Sequence, residues 1–325
     1  MPSRVRARRR RGSYSEGVDD DRGEADEAVG AVADSAKAAI DRTAEETDTT
    51  TEGVRDAATA IDGIVEAADA AIDEITGAPA EGRVSSFAWR GATIVAEERG
   101  SGPRTFVLVH GIGMGRKVFG DVAVRLAGHG RVISIDQPGY GEAPEPDRTP
   151  AIERVADLVA AFIHDRGLDR PVLIGHSMGT QVVVEVAARH PSLAGPVVLV
   201  APTVDDTARS GAVQLLRLGR DLLDESPKVL LLGAREYLRA GPNLRRKMKA
   251  MLTHRPEDSY PRVASAALVL RGEDDPVSPA DWCRRVTALL PDARFEEIPG
   301  HGHETMIRDG APASERILAW LERSR

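Results

Sequence analysis

Residues Val172 to Thr180 read Val-Leu-Ile-Gly-His-Ser-Met-Gly-Thr, and few stretches restrict the fold of a chain so tightly. Three β-favouring apolar residues run straight into Gly175-His176-Ser177-Met178-Gly179, and an Ala/Val-rich helical pattern follows at once. The pattern predicts a strand, a sharp turn and a helix, with Ser177 at the apex. Such a turn holds its central residue in a strained backbone conformation and lifts that side chain clear of the sheet edge. Strand and helix then pass so close beside it that only glycine fits two residues to either side. Ser177 is therefore the candidate nucleophile.

The residues around this turn alternate between strand and helix patterns. Ser85 to Trp89 and Ala92 to Glu97 read as an antiparallel hairpin around Gly91. Thr105 to His110, Arg131 to Asp136, Val172 to His176, Pro196 to Val200, Ala267 to Leu270 and Arg294 to Ile298 read as further strands. Helical spacing is expected over Val118 to Leu126, Ile152 to Arg166, Gln181 to His190 and Ala313 to Leu321. Strands alternating with helices imply an α/β fold with a mostly parallel twisted sheet flanked by helices. The chain is 42% hydrophobic but only 4% aromatic, so the core is expected to be Val, Leu, Ile and Ala, as in a sheet buried on both faces. Between residues 203 and 260 the alternation stops. Short helical patterns (Val213 to Leu223, Lys228 to Leu238, Leu244 to Leu252) replace it and are read as a helical cap insertion.

The first 82 residues differ in kind. Residues 1–18 carry Arg4, Arg6 and Arg8 through Arg11, expected to be a disordered basic arm. Residues 19–82 are acidic, an N-terminal helical appendage that ends in the linker Gly77 to Gly82. Val54, Ala57, Ile61, Ile64, Ala68, Ala71 and Ile75 recur with a seven-residue period, so residues 24–77 offer a seam for self-association. Ala at many seam positions buries little surface, and a loose helical hairpin is the expected state. The remaining 83–325 form the α/β domain.

A serine hydroxyl is a poor nucleophile until a base takes its proton and an acid holds that base. Both are available downstream. Gly272-Glu273-Asp274-Asp275-Pro276-Val277 follows one strand, and Pro299-Gly300-His301-Gly302-His303 follows the last, so both groups reach the same carboxyl edge as Ser177. The chain order is Ser, Asp, His. His301-x-His303 does not extend to a His-x-His-x-Asp-His metal motif, because Thr305 and Met306 stand where Asp and His are needed, and no metal is expected. Gly111, Gly113 and Gly115 lack the Lys-Ser/Thr of a phosphate loop.

Together these motifs resemble the α/β-hydrolase superfamily over about residues 83 to 325. They are His110-Gly111, Asp136-x-x-Gly139-x-Gly141, the Gly175–Gly179 turn with its Gly-His-Ser-Met-Gly nucleophile elbow, Gly272-x-x-Asp275 and Gly302-His303. The resemblance implies the α/β-hydrolase fold and a Ser177, Asp275, His303 triad, with Asp274 and His301 as the neighbouring alternatives. It also implies an oxyanion hole of two backbone N–H groups, those of Ile112 and Met178. Thr180 departs from the second glycine often found after this elbow. His110 and His176 are expected to be structural, or to support the site from behind its reacting groups, rather than to act as bases; His129, His164, His190 and His254 are expected at the surface. Arg245, Arg246, Lys247 and Lys249 are expected to form a solvated basic face, or a patch that steers an anionic substrate.

The expected activity is cleavage of an ester, thioester or related acyl bond of a small apolar molecule, without a cofactor. The same triad also serves carbon–carbon bond hydrolases, acyltransferases and perhydrolases, and a non-catalytic interaction protein is the alternative of a different class. A net charge of −8 argues against nucleic acid as a partner. One cysteine, Cys283, cannot form an internal disulfide, and no apolar run approaches the ~20 residues of a membrane span, so the cytoplasm is the expected location.

Overall fold

A computed structural model describes residues 82–206, 243–307 and 309–323. The basic arm, the acidic segment with its proposed association surface at 24–77, and the cap patterns at 213–223 and 228–238 lie outside the described residues.

The described part is built on one eight-stranded sheet. Its strands are β1 (Arg83–Trp89), β2 (Ala92–Arg99), β3 (Thr105–Val109), β4 (Arg131–Asp136), β5 (Val172–His176), β6 (Val197–Val200), β7 (Ala267–Gly272) and β8 (Ala293–Ile298). The helices are α1 (Gly120–Ala127), α2 (Ile152–Asp165), α3 (Met178–Arg189), α4 (Leu244–Thr253), α5 (Ala280–Leu289) and α6 (Ala311–Arg323). The strand order is β1-β2-β4-β3-β5-β6-β7-β8. β1 and β2 pair antiparallel, as do β2 and β4; every other pair is parallel.

The sheet is covered on both faces because its central strands carry apolar residues on both sides, with polar residues mostly at the strand ends. In β3, Val107 and Val109 point to one side, with Ile133, Leu173, Leu199 and Val269, under α2, α3 and α5. Phe106 and Leu108 point to the other, with Val132, Ile174, Val198 and Leu270, under α1 and α6. This is the two-residue alternation of a pleated strand with each face buried. The chain leaves β3 for β4 on one side and returns to β5 on the other. Such a switch point opens a crevice at the carboxyl ends of the strands, where ligands of open α/β sheets bind.

Two predictions about polar residues are corrected by the packing. Lys247 is buried rather than solvated: its Nζ donates to Glu145 Oε2 at 2.8 Å and to the Gly139 carbonyl, and lies 4.2 Å from the Tyr140 ring centre. The cap helix α4 turns this position inward, and the ammonium is accommodated because a carboxylate, a carbonyl and a ring face wait for it. Arg245, Arg246 and Lys249 on the same helix are exposed. His254, expected at the surface, is also buried; its Nε2 lies 3.1 Å from Glu185 Oε1 on α3. Ser259 donates to the same carboxylate oxygen and Arg262 donates to Ser259 Oγ at 2.7 Å. The segment returning from the cap is thus fastened to the helix that follows Ser177.

Burial pushes the Glu185 carboxyl up, but hydrogen bonds from His254 and Ser259 and the nearby positive charges outweigh this and hold it below its ordinary 4.5. A depressed carboxylate stabilises the folded state fully above the unfolded-chain value, and that contribution is lost as pH falls through the lower folded value. Glu185→Gln should therefore cost about 2–3 kcal/mol at pH 7. Thermal unfolding followed across acidic pH should show a shallower acid-side loss in the variant than in the parent.

Candidate active site

The elbow forms as its sequence requires. Ser177, between β5 and α3, has φ 53° and ψ −119°, a conformation side chains other than glycine rarely adopt. The strained residue is pinned at both ends. Its N–H donates to the Val200 carbonyl at 2.9 Å, and its own carbonyl accepts from the Thr180 N–H at 3.0 Å. The Thr180 hydroxyl also donates to that carbonyl, at 2.6 Å, so the residue that departs from the usual second glycine adds a hydrogen bond to the turn. A Cβ on Gly175 would come within 2.5 Å of the Gly179 carbonyl oxygen, and one on Gly179 would overlap the Val109 carbonyl. These are backbone contacts, with nothing flexible to give way.

Ser177, Asp275 and His303 are all buried, and they meet at the carboxyl edge of the sheet. His303 Nδ1 lies 2.9 Å from Asp275 Oδ2, and His303 Nε2 lies 3.0 Å from Ser177 Oγ. The second carboxylate oxygen of Asp275 accepts the N–H groups of Val277 at 2.8 Å and Ser278 at 2.9 Å. Burial pushes the Asp275 carboxyl up, but the charge and hydrogen bond of His303 and these two N–H groups overcome it and hold the group below its ordinary value. A carboxylate ionised at neutral pH accepts from Nδ1–H, which leaves the Nε2 lone pair facing the serine hydroxyl. Arg271 braces the turn below, donating to the carbonyls of Ser278 at 2.8 Å and Asp275 at 3.0 Å.

The neighbouring candidates stand elsewhere. Asp274 is exposed, and His301 Nδ1 lies 3.0 Å from the Pro299 carbonyl. His176 is buried, and its Nε2–H donates to the His303 carbonyl at 2.8 Å. Burial and then the adjacent His303 charge hold the His176 imidazole at about 4, neutral at pH 7. The two oxyanion candidates flank the serine. Met178 opens α3, where the first N–H groups have no partner within the helix. Ile112 follows Gly111, and a Cβ on Gly111 would lie 3.0 Å from Ser177 Cβ.

Beside Met178 is a recess of about 20 Å³ lined in part by Gln137, Tyr140, Ile152, Val155 and Lys247. A wider groove of about 530 Å³ lies between the Asp147–Glu153 stretch and α4, with Arg148, Arg246 and Lys249 on its walls and no member of the Ser177 cluster among its lining. Among the described residues no group of His, Cys, Asp and Glu side chains is placed to hold a metal ion, and no helix is long and apolar enough to cross a membrane.

Sequence reasoning missed helix α5 and the inward role of Lys247. In α5, Trp282, Cys283 and Val286 are buried at helical spacing, a signal visible in the sequence; Trp282 Nε1 donates to the Pro202 carbonyl at 2.9 Å. For Lys247 the available signal is its place three residues after Leu244 and four before Met251, on the side of α4 that is buried.

A model of the alpha/beta hydrolase family matches residues 106–314. The chain belongs to the alpha/beta hydrolase family. The hydrolase is 25% identical over 241 residues to the 2-(acetamidomethylene)succinate hydrolase of Mesorhizobium japonicum, covering 65% of this chain and 85% of the relative. It is 27% identical over 260 residues to the 2-hydroxy-6-oxo-6-(2'-aminophenyl)hexa-2,4-dienoic acid hydrolase of Metapseudomonas resinovorans, covering 70% and 86%. Among solved structures it resembles the enol-lactonase of Burkholderia xenovorans LB400, with a TM-score of 0.63 and 20% identity over 73% of this chain and 100% of the other. That last likeness concerns the fold. Family and relatives together make the chain an enzyme of the hydrolase class.

Because Gly179 meets the Val109 carbonyl directly, Gly179→Ala should displace α3 from β3. The hydrolase is expected to lose several kcal/mol, about 3 or more, in this variant. Soluble yield and the thermal midpoint check it; an unchanged midpoint would contradict the close approach.

Proposed function

We propose that the hydrolase cleaves an ester, thioester or related acyl bond of a small apolar substrate through an acyl-enzyme on Ser177. The observation that carries this reading is the continuous line from Ser177 Oγ through both His303 nitrogens to Asp275 Oδ2, at 3.0 and 2.9 Å. Ser177 Oγ attacks the carbonyl carbon as His303 Nε2 takes its proton. The tetrahedral oxyanion is met by the N–H groups of Ile112 and Met178. His303 then gives the proton to the leaving group; in deacylation the same imidazole draws a proton from the attacking water and returns it to Ser177 Oγ as the acyl bond breaks. Asp275 keeps the imidazole in the Nδ1–H tautomer and stabilises its protonated form. No step calls for a cofactor. The apolar neighbours of the serine, Ile112 and Met178, support an apolar acyl group.

The relative that acts on a 2-hydroxy-6-oxo-dienoic acid favours a second reading, hydrolysis of a carbon–carbon bond next to a carbonyl by the same triad. A panel of p-nitrophenyl acyl esters, acyl thioesters and vinylogous ketones separates the two by which class is turned over.

A fluorophosphonate probe should label the protein at Ser177, seen by peptide mass spectrometry, and Ser177→Ala should abolish labelling. In that variant kcat should fall by as much as ~10⁶-fold; turnover within tenfold of the parent would refute the serine mechanism. Asp275→Asn should keep the fold but lower kcat by about 10⁴-fold, because the wrong imidazole tautomer then faces the serine.

A further inference from the structure

His110 directly follows β3 and is buried behind the turn that carries Ile112. Its two ring nitrogens have different neighbours. Nε2 lies 3.1 Å from the backbone nitrogen of Gln137, and Nδ1 lies 2.7 Å from the Gly111 carbonyl oxygen. A neutral imidazole has one N–H and one lone pair. The Gln137 backbone amide can only donate, so Nε2 keeps the lone pair and Nδ1 carries the proton. The Nδ1–H therefore donates to the Gly111 carbonyl. The Gln137 side-chain nitrogen, 3.4 Å from Nδ1, gives its own hydrogen bond to the His110 carbonyl at 2.7 Å instead. Burial draws the His110 pKa below its ordinary 6.5, so the ring is neutral at pH 7 and this assignment holds there.

The peptide joining Gly111 to Ile112 is planar and trans, with its N–H directed opposite to its C=O. A carbonyl tied to the His110 ring therefore turns the Ile112 N–H away from that ring. Gly111 itself lies against the nucleophile, within 3.0 Å of Ser177 Cβ for any Cβ placed there. The ring cannot swing out, because Tyr140 packs edge-on against it at 5.1 Å between centres. The Tyr140 hydroxyl also reaches Met178 Sδ at 3.8 Å, so one side chain touches both the His110 ring and Met178.

From this geometry we propose that His110 is a positioning residue. Its Nδ1–H, in the tautomer dictated by the Gln137 backbone N–H, holds the Gly111–Ile112 peptide so that the Ile112 N–H faces the oxyanion. The proposal rests on the acyl-enzyme reading above and adds to it the group that orients one of its two donors. A purely structural histidine would fill the same space and affect folding, but it would not discriminate between ground state and transition state.

The test pairs His110→Asn with His110→Leu, two side chains of similar size. Asn places an amide N–H near the position of Nδ1–H, and Leu places none. With a p-nitrophenyl acyl ester, the Leu variant should lose about 10²-fold in kcat with KM within about threefold, the pattern of a lost oxyanion donor. The Asn variant should retain kcat within about tenfold of the parent. A Leu variant with kcat within threefold of the parent, or an Asn variant as impaired as Leu, overturns the proposal.

Should the Leu variant fail to fold, ¹⁵N spectra of the parent decide. The imidazole signals that vanish in the Asn variant should report an Nδ1–H tautomer at pH 7, and an Nε2–H tautomer overturns the assignment. Fluorophosphonate labelling of the parent separates the two levels of failure. A parent that is labelled at Ser177, with a Leu variant of unchanged kcat, removes the His110 role alone. An unlabelled parent whose turnover survives Ser177→Ala removes the acyl-enzyme reading, and the His110 role with it.

Discussion

One strained residue governs the arrangement around it. Ser177 sits at φ 53°, which costs on the order of 1–3 kcal/mol for a side chain of this kind. The surrounding backbone holds it there. Val200 in β6 accepts its N–H, Thr180 holds its carbonyl twice, and α3 lies against β3 with no room for a side chain at Gly179. The conformation follows from the contact of strand and helix, and its consequence is a hydroxyl raised above a buried parallel sheet. The two other groups at the hydroxyl arrive from separate strands, and each is braced by its own local network: Asp275 by Arg271 and two N–H groups, His303 by the His176 bond to its carbonyl.

The buried polar groups outside this cluster tie loops and cap to the same edge. Asp136 and Arg116 form a buried ion pair, and Asp136 also accepts the Glu142 N–H at 2.9 Å, which shapes the loop after β4. Lys247 brings α4 down onto that loop, and Glu185 holds the segment that returns from the cap. Each of these charges has a hydrogen-bonding partner: an opposite charge or a carbonyl for Asp136, Arg116 and Lys247, and the His254 ring and Ser259 hydroxyl for Glu185. Buried charges are tolerated under that condition and costly without it. Their effect is to connect the cap with the backbone that carries Ser177 and Ile112.

Much of this was legible in the residues. The fold class, the strand positions and the elbow follow from local signals: apolar runs bounded by glycine, two-residue alternation, and small residues where a turn must close tightly. β4 was predicted over the same residues that form it, and α2 within one residue. The carboxylate and imidazole beside Ser177 were legible only through motif position, since spacing leaves Asp274 against Asp275 and His301 against His303 open. Geometry distinguishes them, with Asp275 buried and Asp274 exposed. Lys247 and His254 were misjudged for a related reason. A basic residue on an amphipathic helix reads as solvated unless its partners are known, and Glu145, Gly139 and Glu185 are all distant in sequence.

The order of the strands along the chain has a temporal consequence. The elbow is complete by residue 189, whereas Asp275 follows β7 and His303 follows β8, close to α6. A nascent chain leaving the ribosome from its N-terminus thus carries Ser177 well before the two side chains that meet it in the folded protein have been synthesised. The cluster of Ser177, Asp275 and His303 therefore forms only when the final sheet edge, β7 and β8, docks.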